Sequence, residues 1–391
     1  VQATYNYQVS LSDPGSYAHN AVYYIQLLYD AIDALNAEIS EPIDLTNNHR
    51  NEAGHFDVTA DAFRHWDEDG VVSERCSRCH TDAGLPFLLE NGNTIRFEPS
   101  NSLSCQTCHD SLSEFSMIVV NEVEMPSGAV ISFGEEEASN VCLACHQGRE
   151  SGVSIDNSIA RAAVGDDDIS VALRFQNPHY FAAGATLFGA DANGGYQYDG
   201  MDYSGRFEHV RRLDTCEGCH NVHTLEIRVS RCVDCHEQAE EDVALIRAHP
   251  DDATPVDYDG DGDLEEPLLA EIQTFQDTLF ASIQAYAMDV IGTPIGYAPD
   301  NYPYWYIDAN EDGAITEDEL TREGRYPSWT PTLLRAAYNY QYVAKDPGGY
   351  SHNGDYVLQI LFDSVADISG EEAVADFTRP EAVPTAPDDE D

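Results

Sequence analysis

The sequence predicts a loop-rich fold with a minority of α-helix and little β-sheet. All ten cysteines of the 391-residue chain fall between residues 50 and 250. Clusters of glycine, asparagine, aspartate and serine, such as residues 184–195, separate them and favour turns over long regular elements. No stretch approaches about eighteen consecutive apolar residues, so we expect no membrane-spanning helix.

The cysteines define the main chemical motif of the chain. They occur as five copies of Cys-x-x-Cys-His, and no cysteine is left over. This motif attaches haem c covalently, because its two thiols reach the two vinyl groups while the adjacent histidine meets the iron. We therefore predict five haem c groups that organise the core. The residues are Cys76, Cys79 and His80; Cys105, Cys108 and His109; Cys142, Cys145 and His146; Cys216, Cys219 and His220; and Cys232, Cys235 and His236.

Two other uses of the cysteines agree less well with this pattern. A zinc ribbon needs paired Cys-x-x-Cys units, and only residues 216–235 approach that spacing. Random disulfide pairing would not place ten cysteines in five copies of one motif. Because haem c is attached outside the cytoplasm, we expect a secreted, extracellular or cell-surface protein whose signal peptide has been removed.

Each haem iron needs a second axial ligand, and histidine is the expected one. The chain has 14 histidines, and nine remain outside the five motifs. That supply exceeds the need, so we expect every iron to be bis-histidine. The five expected distal ligands are His55, His65, His179, His209 and His223. The two reserves are His19 and His352, and the two expected surface residues are His49 and His249.

An internal repeat joins the two ends of the chain. The YNYQ sequence that starts at Tyr5 recurs at Tyr338, and the match continues for over thirty residues without a gap. Within the first copy, apolar residues between 20 and 35 recur at helical spacing and predict an amphipathic helix. Two interpretations stay open. The copies are a duplicated turn and helix that pack beside each other in one molecule, or they are matching ends for assembly.

We divide the chain into four regions. Residues 1–50 form an N-terminal aromatic segment and helix, and residues 51–250 form the five-haem domain. Residues 251–378 form a calcium-loop and helical region that ends in the second copy of the repeat. Residues 379–391 contain three prolines and five acidic residues, which predicts a disordered acidic tail.

Two acidic loops predict calcium sites. Residues 308–319 place oxygen-bearing side chains at positions 1, 3, 5, 9 and 12 and glycine at position 6, which is the EF-hand pattern. The loop that starts at residue 257 begins in the same way, but its position 12 is Leu268, so Glu265 or Glu266 would close the site. An acidic turn without metal is the alternative for both. The candidate ligands are Asp308, Asn310, Asp312, Thr316, Glu319, Asp257, Asp259, Asp261 and Asp263.

The chain is strongly acidic. It has 71 acidic and 19 basic residues, a formal net charge of −52. Nucleic-acid binding is excluded, because it needs a basic face to neutralise phosphates. Adaptation to saline surroundings and a docking field for cations or basic partners both explain the charge.

The chain resembles a family of secreted multihaem c-type cytochromes, some of which polymerise into extracellular filaments (nanowires). The resemblance lies in FRHWDEDG at residues 63–70, CHQGRES at 145–151, NPHYFAAGA at 177–185 and the terminal segment at 337–348. The extra copy of that segment near the N-terminus departs from the family pattern.

The resemblance implies an electron-transfer protein, not an enzyme. We expect it to conduct electrons through five haems as a head-to-tail homopolymer, between cell-surface redox partners and external electron acceptors. The alternatives are a multihaem reductase with one open haem and a soluble extracellular shuttle. No Cys-x-x-Cys-Lys variant of the motif occurs, which disfavours the reductase.

Overall fold

The computed structural model describes residues 1–40, 42–45, 48, 50, 54–210, 213–247 and 256–385. Within this part of the chain, 43% of the residues are helical and 5% are in strands. These proportions confirm the predicted loop-rich fold with little sheet. None of the helices described is long and apolar enough to cross a bilayer. His49 and His249 lie outside the described residues.

The chain divides into two compact units, and the first comprises residues 1–118 and 220–228. It contains a single turn of 3₁₀-helix at Gly54–Phe56 and seven α-helices. The helices are α1 (Gln2–Ser12), α2 (Ser16–His19), α3 (Ala21–Asn36), α4 (Asp61–Arg64), α5 (Glu74–His80), α6 (Gly84–Asn91) and α7 (Cys105–Cys108).

Helices α1 and α3 pack against each other as a hairpin. Helix α3 coincides with the amphipathic helix predicted from the apolar spacing. It begins after Asn20, whose Oδ1 accepts a hydrogen bond from the backbone N of Tyr23 at 3.1 Å. Asparagine is a preferred N-cap because its side chain satisfies one of the backbone donors that the first helical turn leaves unpaired.

The second unit comprises residues 119–219 and the described residues from 229 onward. Its strands form two antiparallel pairs, β1 (Val123–Glu124) with β2 (Val130–Ile131) and β3 (Ile295–Tyr297) with β4 (Trp305–Ile307). Its helices are α8 (Asn140–Leu143), α9 (Gly152–Ala162), α10 (Ala183–Ala192), α11 (Cys216–Cys219), α12 (Leu268–Tyr286), α13 (Pro331–Ala344) and α14 (Gly349–Ser369).

Helices α12, α13 and α14 form the apolar core of the second unit. Phe275 and Leu279 of α12 are fully buried, as are Leu333 of α13 and Leu361 of α14. Helix α12 lies within the calcium-loop and helical region predicted for residues 251–378. This core consists of protein side chains.

The segment predicted as a disordered tail has a defined path over its first seven residues. Nε and Nη2 of Arg379 donate to the two carboxylate oxygens of Asp363, at 2.9 Å each. Farther along, the backbone N of Gly205 donates to the carbonyl of Val383 at 2.9 Å. The prediction of disorder therefore does not hold for residues 379–385, and residues 386–391 lie outside the described part of the chain.

Candidate functional site

Four of the five Cys-x-x-Cys-His motifs begin within the short helices α5, α7, α8 and α11, and the fifth, residues 232–236, begins on a turn. In the second, third and fifth motifs the histidine N donates to the carbonyl of the first cysteine at 2.9 Å. Residues three apart on such a turn share one side of it, so both thiols point the same way.

None of the ten cysteines forms a disulfide. The thiols of Cys142 and Cys216 are hydrogen-bonded to each other, and this contact, together with burial, raises the pKa of Cys216 well above its usual value. The first cysteines of the third and fourth motifs are therefore neighbours in the second unit. The disulfide alternative for the cysteine pattern has no support in this geometry.

The motif histidines are oriented by backbone carbonyls. In four of the five motifs, Nδ1 of the histidine lies within hydrogen-bond distance of a carbonyl oxygen. Because a carbonyl oxygen only accepts, Nδ1 carries the proton and Nε2 keeps its lone pair. The same arrangement fixes the tautomer of metal-binding histidines. The pairs are His80 with Ala62 at 2.9 Å, His109 with Phe115 at 3.0 Å, His146 with Phe181 at 3.0 Å and His220 with Leu225 at 3.1 Å.

Two motif histidines face a second histidine at a distance that suits a shared metal ion. The ring centres of His109 and His223 are 6.5 Å apart in the first unit. Those of His209 and His236 are 6.3 Å apart in the second unit. Two imidazoles on opposite sides of one metal ion, each about 2.0 Å from it, have ring centres about 6 Å apart.

Comparison with known proteins agrees with this chemistry. The C-type polyheme cytochrome OmcB of Geobacter sulfurreducens is 28% identical over 377 residues, which cover 79% of this chain and 46% of OmcB. The C-type polyheme cytochrome OmcC of the same organism is 26% identical over 384 residues, covering 80% of this chain and 45% of OmcC. The chain is related to the multihaem c-type cytochromes.

The chain spans about half the length of the curated relatives it matches. No family model matches it. No solved structure matches it either. The relationship to multihaem c-type cytochromes therefore comes from sequence, and the geometry of the motifs is independent support for it.

The residues present suit covalently bound haem c. Each motif offers two thiols that form no disulfide and a histidine, which in four motifs is held in the tautomer that ligates iron. The Nδ1 of His209 is buried and has no hydrogen-bond partner among the described residues. Burial, and then the neighbouring His236, lower the pKa of His209, which favours the neutral ring that can bind a metal.

A turn of 3₁₀-helix supports the segment that carries His223. Gly54 has φ of +74°, and a Cβ added to it would lie 2.7 Å from the carbonyl oxygen of His223. Only glycine combines this backbone conformation with so close an approach. The ring of Phe56 lies 6.2 Å from that of His223. No sequence pattern indicates a role for Gly54, because its contact with His223 joins residues far apart in the chain.

The other three expected distal histidines lie near motif residues. His65 packs edge-on against Trp66, whose ring is 6.0 Å from that of His80. Burial first, and His65 among the smaller causes, lowers the pKa of His80. The backbone carbonyl of His55 accepts a hydrogen bond from the N of Leu103, two residues before the second motif, at 3.2 Å.

His179 lies on a tight turn beside the third motif. Its φ of +76° is unusual for a residue other than glycine, and its N donates to Oδ1 of Asn177 at 2.9 Å. Two residues later, the carbonyl of Phe181 accepts the hydrogen bond from His146, and the N of Gly184 donates to the carbonyl of His146 at 2.8 Å. The NPHYFAAGA segment thus anchors the third motif histidine.

The reserve histidines both pair with an aspartate six residues earlier. Nδ1 of His19 lies 2.9 Å from the carboxylate of Asp13, and Nδ1 of His352 lies 2.9 Å from that of Asp346. Asp346 is almost fully buried, and the charge and hydrogen bond of His352 lower its pKa against the opposing effect of burial. A carboxylate on Nδ1 leaves Nε2 as the nitrogen available to a metal, and the sequence analysis named neither aspartate.

The first acidic loop gathers its carboxylates next to the first turn of α12. Oxygens of Asp257, Asp259 and Glu271 lie within 4.8 Å of one another, and so do those of Asp259, Asp261 and Glu266. Glu271 is buried and accepts backbone hydrogen bonds at 2.7 and 2.9 Å. Burial, and to a lesser extent the neighbouring carboxylates, raise the pKa values of Glu266 and Glu271 to about 7. Oxygen clusters of this kind suit Ca²⁺.

The structure distinguishes the two alternative closing residues of this loop. Glu266 joins the cluster, whereas Glu265 is exposed and pairs with Arg247 at 2.9 Å. Asp263 accepts a hydrogen bond from the N of Glu265 at 2.9 Å and belongs to neither carboxylate group. Glu271 was missed because it lies three residues beyond EF-hand position 12, in the first turn of a helix.

The second acidic loop has the hydrogen-bond pattern of an EF-hand loop. Asp308 and Glu319, at positions 1 and 12, are buried and accept bonds from the backbone of Gly313 and of Ala309. Thr316 donates from both N and Oγ1 to Glu319, which lowers the pKa of that carboxyl. Gly313 at position 6 has φ of +88°, as the sharp turn requires. The other predicted ligands lie on the exposed side of the loop and are Asn310 and Asp312.

Proposed function

We propose that this chain is an extracellular or cell-surface electron-transfer protein that holds five covalently attached haem c groups, each with histidine on both sides of the iron. The observation that carries the proposal is the spacing of two histidine pairs, 6.5 Å for His109 with His223 and 6.3 Å for His209 with His236. The five motifs and the polyheme relatives support it. When bound, haem c supplies iron centres that take up and release single electrons.

The residues of the chain perform the structural part of this work. The carbonyls that accept from Nδ1 hold four motif histidines in one tautomer and one orientation. A fixed ring on each side keeps the coordination of the iron unchanged when an electron arrives or leaves. Six-coordinate iron has no open position for a substrate, which distinguishes an electron conduit from a reductase.

The proposal is tested by counting spin states. Low-temperature EPR of the purified oxidised protein should show five low-spin haems per chain, with the haem content measured from the pyridine haemochrome spectrum. Carbon monoxide should not bind to the reduced protein. A stoichiometric high-spin signal, or one carbon monoxide per chain, would favour a reductase with one open haem.

We further propose that the chain assembles head to tail as a homopolymer and exchanges electrons with cell-surface partners and external acceptors. The exposed N-terminal hairpin supports this, since Tyr5, Tyr7 and Leu11 of α1 are 68%, 58% and 66% exposed. His19 is 69% exposed, and Asp13 orients it, so it can reach an iron of a neighbouring protomer. Contacts of this type that do not close on themselves grow into filaments.

Assembly is tested by light scattering and electron microscopy at high protein concentration, in high salt and millimolar calcium. High salt screens the charge of −52 per protomer and should promote growth. A protein that stays monomeric under these conditions is a shuttle. If it polymerises and His19→Ala leaves every iron low-spin, the filament stands but His19 is not a ligand across the contact.

Calcium is the second proposed cofactor, held by the two acidic loops. The carboxylate groups around Asp259 and the buried Asp308 and Glu319 support this assignment. Both loops connect elements of the second unit, and a bound ion would fix their conformation. A structural role is expected, because free calcium is plentiful outside cells.

A further inference from the structure

The N-terminal hairpin α1–α3 and the C-terminal hairpin α13–α14 are two copies of one structure. Asn20 and Asn353 occupy the same position in the repeat, with φ and ψ of −167° and 78° in the first and −166° and 80° in the second. In each copy the asparagine Oδ1 accepts from the backbone N three residues later, Tyr23 or Tyr356, at 3.1 Å. This backbone conformation is not helical, so its recurrence is specific.

The contact between the two helices is also duplicated. In the first copy, Nδ2 of Asn6 donates to the carbonyl of Leu27 at 3.2 Å. In the second copy, Nδ2 of the equivalent Asn339 donates to the carbonyl of the equivalent Ile360 at 3.4 Å. The two hairpins therefore hold their helices in the same register.

A third shared feature is an ion pair between an arginine and the last aspartate that the two copies of the repeat share. Arg50 contacts both carboxylate oxygens of Asp30, at 2.6 and 2.9 Å. Arg379 contacts both carboxylate oxygens of the equivalent Asp363, at 2.9 Å each. The chain that follows each hairpin thus returns to it through the same type of ion pair.

In the C-terminal hairpin, side chains that the two copies of the repeat share form hydrogen bonds to residues 184–205 of the same unit. Oδ1 of Asn339 accepts from the N of Tyr196 at 2.7 Å, and its Nδ2 donates to the carbonyl of Tyr196 at 2.9 Å. This is the pairing that a neighbouring strand would make. The hydroxyl of Tyr338 donates to the carbonyl of Gly194 at 2.8 Å.

Three more residues of α14 complete this contact. The hydroxyl of Tyr356 accepts from the N of Gly195 at 3.1 Å. Oε1 of Gln359 accepts from the N of Ser204 at 2.8 Å. Nδ2 of Asn353 donates to the carbonyl of Gly205 at 2.9 Å. All of these bonds go to the backbone of the segment, so the hairpin recognises its path more than its side chains.

Glycines in the held segment allow the close approach. A Cβ on Gly195 would lie 2.9 Å from a methyl carbon of Ile360 and 3.1 Å from the hydroxyl of Tyr356. A Cβ on Gly194 would lie 2.5 Å from the hydroxyl of Tyr342. Any larger residue at Gly195 would push the segment away from the hairpin.

The N-terminal hairpin repeats the recognition residues and leaves its two recognition tyrosines exposed. Tyr5 and Tyr23 are 68% and 51% exposed, whereas their equivalents Tyr338 and Tyr356 are 0% exposed. The remaining equivalents of the residues that hold the segment are Asn6, Asn20 and Gln26. Some contacts differ, because Val9 stands where Tyr342 approaches Gly194, and Ala31 stands where Ser364 accepts a hydrogen bond from the hydroxyl of Tyr198.

We propose that the α1–α3 hairpin binds, on a second multihaem module, a glycine- and tyrosine-rich segment with the chemistry of residues 184–205. The hairpin then closes that module as α13–α14 closes its own unit. The occupant is specified by the observed partner of the same residues in the second copy of the repeat. This inference deepens the proposed assembly and rests on it only for the identity of the partner as a multihaem module.

The test uses the haem-loaded full chain and a fluorescein-labelled peptide with the sequence of residues 184–205. Fluorescence anisotropy should show saturable binding. Asn6→Leu removes both bonds that correspond to those on Tyr196, and should weaken binding by about tenfold or more. Tyr23→Phe removes one hydroxyl without changing the shape of the hairpin, and should weaken it several-fold. Asp33→Asn, an exposed position elsewhere on α3, is the control and should not change affinity.

A second control is the same peptide with Gly195→Val, which should not bind. The inference is wrong if the native peptide shows no saturable binding, if the valine peptide binds equally well, or if Asn6→Leu and Tyr23→Phe both leave the affinity unchanged. Failure here leaves the haem-ligation proposal intact if all irons are low-spin. A high-spin iron in a protein that binds the peptide would instead count against the ligation alone.

Discussion

The rings of His209 and His236 are 6.3 Å apart and inclined by 40°, and one belongs to a motif while the other does not. His209 lies seven residues before the fourth motif, yet it faces the histidine of the fifth. Under the proposed ligation, the distal ligand of the fifth haem comes from the chain segment that precedes the fourth motif. Such an exchange of ligands between neighbouring motifs would make the two haem sites mutually dependent.

The first prediction concerns this exchange. His209→Ala should convert one low-spin haem, the one carried by the fifth motif, to high spin. His223→Ala should do the same for the haem of the second motif, because its ring is 6.5 Å from His109. EPR should show four low-spin haems and one high-spin haem in each variant, and one carbon monoxide should bind after reduction.

The control for these variants is His249→Ala, because His249 is expected from the sequence to be a surface residue. All five irons should stay low-spin in that protein. If His209→Ala also leaves five low-spin irons, the pairing of His209 with the fifth motif is incorrect.

The second prediction concerns the first acidic loop. Glu271→Gln should reduce the stabilisation that calcium gives, because the carboxylate is shared with Asp257 and Asp259. At a calcium concentration about 100 times the dissociation constant, binding stabilises the folded state by about 2.7 kcal/mol. Thermal unfolding should therefore show a calcium-dependent rise in Tm for the wild type and a much smaller rise for the variant.

Glu265→Gln is the matched control for Glu271→Gln, since Glu265 points to Arg247 instead of the cluster. It should keep the full calcium response. In chelator, Glu271→Gln should unfold at or above the wild-type temperature, because it removes a carboxyl from a crowded acidic site. Equal losses of Tm with calcium and with chelator would mean that Glu271 is not a calcium ligand.

The third prediction separates backbone strain from close approach. Gly54→Ala should destabilise the first unit by about 1–3 kcal/mol, since its φ is +74° and the new Cβ would press on the carbonyl of His223. It should also alter the low-spin EPR signal of the haem that His223 serves. Gly70→Ala is the control, because Gly70 has φ of +63° but no atom within 4 Å of the added Cβ. It should cost stability through the backbone alone and leave every EPR signal unchanged.

The haem-attachment residues were predictable because covalent chemistry fixes them within five consecutive positions. The distal ligands were harder, because a distal histidine is defined by proximity in space. His209 and His223 were chosen from their nearness to a motif in sequence, and the structure places each beside a different motif histidine. For His55 and His179 the structure defines backbone hydrogen bonds that fix their segments.

The acidic loops show the same limit. The EF-hand spacing of residues 308–319 specifies each ligand position, and the buried ends of that loop agree with it. In the first loop only the four aspartates at 257, 259, 261 and 263 follow the EF-hand spacing. The residue that completes the proposed site therefore depends on where α12 begins. Tertiary packing therefore selected Glu271, which no local pattern indicated. The pairing of His352 with Asp346 could have been predicted from the sequence, because an aspartate precedes the histidine by six residues in both copies of the repeat.

The last prediction concerns the segment that follows α14. Arg379 is 17% exposed and Asp363 is 4% exposed, so their two-bond ion pair is largely removed from water. Removing one partner of a buried pair leaves an uncompensated charge and typically costs about 3 kcal/mol or more. Arg379→Met should therefore lower the free energy of unfolding of the second unit by about that amount, measured by urea unfolding of the calcium-bound protein.

Two further variants decide the cause of that loss. Arg322→Met, at an exposed arginine, should change stability by less than about 0.5 kcal/mol. The double variant Arg379→Met with Asp363→Leu should recover much of the stability, because both charges are then absent from the buried site. If the double variant is as unstable as Arg379→Met alone, the loss comes from the other bond of Arg379, which its guanidinium donates to the carbonyl of Asp202 at 2.8 Å. In that case residues 379–385 are held by their backbone path along residues 202–205, and the ion pair contributes little.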